Sequence, residues 1–337
     1  MVDGTDIQGW FLKGFALPAG YLLALHTLLR AHRHGGLYKV PTMKQLGGAQ
    51  TSQMSILIYR GLALFICLPT LLVLCSHHHF NPHLLLYYTI LNFGIITLYF
   101  LLAYGYSLIY WKQMKAAHAL EDSEDAAAQT SVSTDDVRED NDVDKGQEEE
   151  EGTEKDAEGV DDKDDDDGKL LVGVTPGSYN AGLLGVFTMF LYITALSNSY
   201  VVTTVYWPLL YPHDKHVDWM TFVMHAGNII LMHGDFFMNN MPFFKHQVCL
   251  YMLLILAYLT AVIIAHDVFD VHYPYYFLDP THQLAIVWWS VLLTAHIIFF
   301  SWVTTMAQKK QDRISDKALE ELESQSVLPG VQMSANV

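Results

Sequence analysis

Six stretches of the chain stay apolar long enough to cross a hydrocarbon core of about 30 Å, which takes roughly 20 residues of helix: 56–75, 84–111, 182–207, 219–238, 247–266 and 283–306. Inside lipid the backbone must satisfy its own hydrogen bonds, and runs of this length do so as helices rather than as short alternating barrel strands. The pattern predicts an all-α polytopic membrane protein, a six-helix transmembrane bundle. A further apolar stretch, 10–29, is interrupted by Lys13, Gly14, Pro18 and Gly20 and followed by Arg30 and Arg33. That composition places it on the cytoplasmic membrane surface as an interfacial helix, with a spanning course as the other reading. The chain then divides into an N-terminal region 1–55, a helix pair 56–111, an insert 112–180, four helices 181–306 and a tail 307–337.

Charge sharpens this division. The 337 residues carry a formal charge of −17 with 51% hydrophobic residues and a mean hydropathy of +0.20. Between 121 and 167, 23 carboxylates stand against Arg138, Lys145, Lys155 and Lys163, a charge of −19 that leaves about +2 for the rest. An ordinary soluble α/β enzyme is excluded, and so is a uniformly acidic disordered chain. A nucleic-acid partner is excluded too, because no basic patch with interleaved aromatics occurs. The insert has almost no aromatics and cannot bury enough apolar surface to offset its ordering entropy, so it is expected to be disordered, solvated and open to cytoplasmic protein partners. Its run 161–167 lacks the spaced ligands of an EF-hand.

Orientation follows from basic residues retained on the cytoplasmic side. Lys39, Lys44 and Arg60 flank the first window, Lys112 and Lys115 follow the second, Lys245 lies between the fourth and fifth, and Lys309, Lys310 and Arg313 follow the sixth, against Lys215 alone on the other side. Both termini and the insert are thereby expected in the cytoplasm, in the endoplasmic reticulum or the plasma membrane. The start of the chain lacks the features of a cleaved signal peptide. Cys67, Cys75 and Cys249 sit in apolar runs as small hydrophobes, which gives neither a disulfide framework nor a zinc site.

Polar side chains at membrane depth are costly and ask for a reason. The window 219–238 carries His225, Asn228, His233 and Asp235. His225 and Asn228 share a face, and Asp235 lies ten residues further on, about 15 Å toward the cytoplasm. Interhelical hydrogen bonding accounts for such residues as readily as catalysis does. Catalysis needs a nucleophile, and no G-x-S-x-G elbow or H-E-x-x-H pair occurs. Thr89 lies about 7 to 8 Å in from the luminal end of its helix and His225 about 9 Å in from the same side, so the two are level; Thr203, Thr204 and Thr221 come close to that level. The histidines at 77, 78, 79, 83, 213, 216 and 272 gather on the luminal side without a metal-binding spacing, and a haem held by His225 and His296 is a remote alternative. No metal or cofactor is expected.

The segments V-V-T-T-V-Y-W (201–207), M-H-A-G-N (224–228), Asp235, Pro242, His246 and Y-P-Y-Y-F-L-D (273–279), with the second window at Y-Y-T-I-L-N-F-G (87–94), together resemble the rolling stone branch of the androgen-induced-gene family of multi-pass membrane proteins. The resemblance covers the six windows and neither the insert nor the first fifty residues. It implies hydrolysis of fatty acid esters of hydroxy fatty acids, with Thr89 as nucleophile and His225 as general base and with Asn228 and Asp235 in support. Asp235 stands where hydrolase members tend to carry Glu, and the rolling stone branch itself is associated with cell fusion, which makes a non-catalytic role in cell or partner interaction the alternative.

Overall fold

The computed structural model describes residues 4–33, 40–48, 52–135, 180–214 and 217–326. Among these the chain has six helices long and apolar enough to cross a membrane, and it is a multi-pass membrane protein. Its long helices are α1 (Ile7–Arg33), α2 (Gln53–His77), α3 (Tyr88–Asp135), α4 (Gly182–Leu210), α5 (219–238), α6 (Val248–Phe269) and α7 (Ala285–Ser326). The helix set differs from the six windows in one exchange: α1 belongs to the apolar six, and α5, whose polar residues lower its hydropathy, does not.

The surface position expected for 10–29 gives way to lengthwise packing. Lys13 pairs with Asp267 at 2.8 Å, Gly20 meets Leu256, and the Tyr21 hydroxyl meets that of Thr260 at 2.9 Å. As numbering rises along α1 it falls along α6, so the helices lie antiparallel over their length. A side chain at residue 20 would press on Leu256, which explains one glycine in an otherwise helical run. Lys13 and Gly20 make α1 look interfacial in sequence because their partners, Asp267 and Leu256, lie some 240 residues away.

At the opposite end of the bundle from Asp267, α5 ends near Asn239 and α6 begins. Lys310 of α7 reaches that end, donating to the carbonyls of Phe236 and Asn239. The start of α1 and the distal part of α7 therefore occupy opposite ends of the bundle. A cysteine placed at Trp10 and one at Thr281 are expected to react with an impermeant thiol reagent from one side of sealed vesicles, and one at Asp316 from the other. Labelling of Trp10 and Asp316 from the same side would return α1 to the membrane surface.

Helix α4 sits in the middle, with every residue from 191 to 202 buried. Full enclosure lets it carry Tyr192, Thr194, Ser197, Asn198 and Tyr200 without presenting them to lipid; Asn198, for example, accepts from the Tyr251 hydroxyl at 2.6 Å. The core around it includes Phe93, Ile96, Phe100, Leu196, Met232, Ile255 and Phe300. The outward faces carry exposed Leu62, Phe65, Leu72, Ile230, Phe237, Val291 and Trp302, the surface that hydrocarbon covers.

Before α2, a short helix Met43–Gly47 is started by a capping box of Thr42 and Gln45. It buries Met43 and Leu46, and the segment is tied to the start of α4 through the Thr42–Asn180 bridge and the Ala181 amide on the Pro41 carbonyl. At the far end, α2 stops with His79 and Phe80 in the left-handed region, closed by the Phe80 amide on the Cys75 carbonyl at 2.7 Å.

The chain forms two compact units, 1–111 with 179–337, and 112–178. Of the second, helix continues to Asp135, beyond the boundary expected at 111, because Ala, Glu, Lys and Gln in this stretch are strong helix formers. The acidic run 136–179 lies outside the described residues.

Candidate functional site

Helix α5 begins with the Asp218 carboxylate accepting the Thr221 amide at 2.7 Å, and that hydrogen bond holds the Asp218 carboxyl below the usual range. One turn later the helix widens into a π turn over Val223–Gly227. Single π turns recur at functional sites because they redirect backbone groups. Here the Ile229 amide bonds the Asn228 side-chain oxygen at 2.6 Å, while the His225 carbonyl accepts from the Thr203 hydroxyl at 2.8 Å and the Trp207 indole at 3.3 Å. Two members of the V-V-T-T-V-Y-W segment thus clamp the backbone at His225.

The end of α4 is also a π turn, Tyr206–Leu210, where Pro208 has no amide to donate. It sets the Tyr206 ring flat on the His225 imidazole, with centroids 3.4 Å apart and 12° between planes. His225 is 7% exposed, and its Nδ1 has no hydrogen-bond partner.

Thr89 stands in the first turn of α3, which follows a 3-10 turn Pro82–Leu86 started by Asn81. Thr89 and His225 line one cavity of about 410 Å³ together with Tyr87, Tyr206, Thr221, Met224 and Tyr275. No hydrogen bond joins the two across this cavity. Thr89, Tyr206, Leu210 and Tyr275 also line a second, apolar cavity of about 60 Å³ among Val201, Val205, Leu259, Leu278 and Leu292. Thr89 therefore lines both a wider cavity of mixed lining and a narrow apolar slot.

The polar stripe read on α5 divides in the structure. Asn228 is fully buried; its oxygen is used by Ile229 and Thr203, whereas its Nδ2 has no partner. Asn92, one turn beyond Thr89, is 1% exposed with neither amide atom partnered. His233 meets the Tyr200 hydroxyl at 2.6 Å. Asp235 lies apart from the cavity and forms the centre of a different constellation.

The spacing of polar residues along α5 does not announce that constellation. Arg60, counted in sequence as a charge at a helix start, is completely buried and bonds Asp235 through Nε at 2.7 Å. Its other N–H groups reach the Leu46 and Ala103 carbonyls at 2.7 and 3.2 Å, the Ser107 hydroxyl at 2.8 Å, and Tyr99 and the second Asp235 oxygen at 3.4 Å. Asp235 also accepts from the Tyr99 hydroxyl and from the Asn239 amide at 2.6 Å. Charge, donors and acceptors are matched, as a buried pair requires. The available signal was Arg60 five residues into an apolar window: a lone arginine there asks for a buried carboxylate.

His296 has both ring nitrogens occupied, Nε2 with the Tyr88 hydroxyl at 2.9 Å and Nδ1 with the Leu292 carbonyl at 2.7 Å, so it does not present a free nitrogen to a haem shared with His225. Among the described residues no three His, Cys, Asp or Glu side chains are grouped to hold a metal ion; the side chains of His213 and His216 lie outside the described set. Compared with family models, with curated proteins and with solved structures, the chain matches none, and the functional reading rests on this arrangement of residues.

Proposed function

We propose that this protein is an intramembrane hydrolase of lipid esters, of the fatty acid ester of hydroxy fatty acid type, with Thr89 as nucleophile and His225 as general base. The observation that carries the reading is that these two residues line one cavity that meets an apolar slot at Thr89 itself. The resemblance of 87–94, 201–207 and 224–228 to the androgen-induced-gene family points the same way.

In this reaction an acyl chain from the bilayer enters the apolar slot and its ester carbonyl rests at Thr89. The Thr89 oxygen bonds the carbonyl carbon while its proton passes to the neutral imidazole of His225, directly or through one water. Collapse breaks the bond to the alcohol, and His225 returns the proton to the departing alkoxide. Water, activated by the same base, then releases the fatty acid from Thr89. Thr203 and Trp207 hold the His225 backbone and Tyr206 holds the ring; these are positioning residues.

The cavity lies at the end of the bundle nearer Asp267, which basic-residue placement assigns to the lumen or exterior. The distal part of α7 then faces the cytoplasm and the start of α1 the lumen, in place of two cytoplasmic termini. The acidic insert stays cytoplasmic and offers a surface to protein partners there.

A fluorophosphonate with an alkyl tail is expected to label the purified protein covalently and to leave Thr89→Ala unlabelled, read by mass spectrometry of the modified peptide. Equal labelling of both removes Thr89 as nucleophile, and labelling of neither favours the non-catalytic alternative, in which polar side chains only hold helices together.

A further inference from the structure

The segment Y-P-Y-Y-F-L-D (273–279) has no task in the reaction above, yet one member reaches the site. Tyr275 lines both cavities beside Thr89. Its hydroxyl stands near the Thr89 side chain and the backbone amides of Tyr88 and Thr89. Those are the first two amides of α3. The amides of Ile90 and Leu91 already bond the Tyr87 carbonyl at 3.0 Å, while those of Tyr88 and Thr89 precede the first helical acceptor and need a partner from elsewhere. Beside the N-terminus of α3 and on the wall of both cavities, the Tyr275 hydroxyl has a proton to donate in a place where the helix dipole favours negative charge.

The ring is firmly set. It stacks on Phe277 at 5.1 Å and 4°, meets Tyr87 edge-on at 5.9 Å, and its carbonyl takes the Leu278 amide at 3.0 Å. Independently, the same cavity is lined by His225, more than nine-tenths buried and with an unpartnered ring nitrogen.

We infer that Tyr275 is a third catalytic residue of the proposed ester cleavage, donating its O–H to the carbonyl oxygen as that oxygen becomes negative. The inference rests on the hydrolase reading. As the Thr89 oxygen bonds the carbonyl carbon, the C=O π pair moves onto oxygen and the Thr89 proton goes to His225. The oxyanion accepts a hydrogen bond from Tyr275 without taking its proton. When the carbon–alkoxide bond breaks, the pair returns to the carbonyl and the His225 proton goes to the leaving oxygen. Donors fixed before the charge develops act on the transition state more than on the ground state, so their loss falls on kcat.

The test uses the full chain in lipid nanodiscs with a branched fatty ester as substrate. Tyr275→Phe is expected to lower kcat about 100-fold with KM within about twofold, to keep the wild-type melting temperature, and to bind an alkyl trifluoromethyl ketone about 100-fold more weakly, since that inhibitor carries the oxyanion. Tyr276→Phe, in the same loop, is expected to keep wild-type turnover. If Tyr275→Phe does not fold, 3,5-difluorotyrosine at 275 keeps ring and hydroxyl but ionises at lower pH, and the alkaline limb of kcat should move toward acid. Wild-type kcat in Tyr275→Phe, or an unmoved alkaline limb, overturns the role of Tyr275 while ester hydrolysis at Thr89 stands. Absence of fatty acid release from the wild-type protein overturns the hydrolase reading, and Tyr275 with it.

Discussion

Truncating Asp235 to alanine is expected to destabilise the bundle by about 3 to 5 kcal/mol, because it leaves the Arg60 guanidinium charged, fully buried and without its carboxylate. Three further groups lose their acceptor at the same time: the Tyr99 hydroxyl, the Asn239 amide and one Arg60 N–H. The damage should spread along Asn239, whose carbonyl and side-chain oxygen also receive Lys310 at 2.5 and 3.4 Å. Thermal unfolding in detergent reads the loss. The companion measurement is the double variant Arg60→Met with Asp235→Leu: removing both charges deletes the desolvation penalty along with the attraction, and such exchanges are close to neutral. Recovery in the double variant and collapse in the single one together identify a matched pair. Equal stability of Asp235→Ala and wild type would deny it.

Turnover should respond in the opposite pattern. His225→Ala is expected to reduce ester hydrolysis by about 100- to 10,000-fold, the range for a positioned general base, and Thr89→Ala to stop covalent acyl transfer outright. Stability should change little beside the Asp235 variant, since the His225 ring gives up a stack on Tyr206 and no ring hydrogen bond through Nδ1. Release of free fatty acid, measured beside the melting temperature of each variant, separates the two behaviours. Full turnover in either variant removes the pair. A His225→Ala protein that unfolds as readily as Asp235→Ala would assign His225 to packing instead.

Much of this was legible because membrane burial is written in runs of apolar residues and because helical rise converts a residue count into a depth. That is how Thr89 and His225 could be set level before their common cavity was seen. Contacts between distant residues were not legible. Arg60 reads as a positive flank until Asp235, 175 positions later, is found against it. In α1, Lys13 and Gly20 read as surface features until α6 supplies Asp267 and Leu256. Tyr206 and Tyr275 escaped for a different reason: one depends on π turns in two helices and the other on the path of a loop, and neither leaves a periodic trace. The stripe from His225 to Asp235 was seen as one feature, although its ends belong to separate networks.

The π turn over Val223–Gly227 also sets the phase between those networks. A regular α-helix advances about 100° per residue, so one residue more or fewer between the ends of α5 turns one half against the other by that angle. The clamp on the His225 carbonyl and the pocket around Asp235 therefore tolerate substitutions between them far better than a change in spacing. Shortening 226–234 by a single residue would keep every side chain of both networks in the chain while pointing one set away from its partners. Exchange of residue type is therefore the change that this helix accommodates, and a change of length between its two networks is the one that it does not.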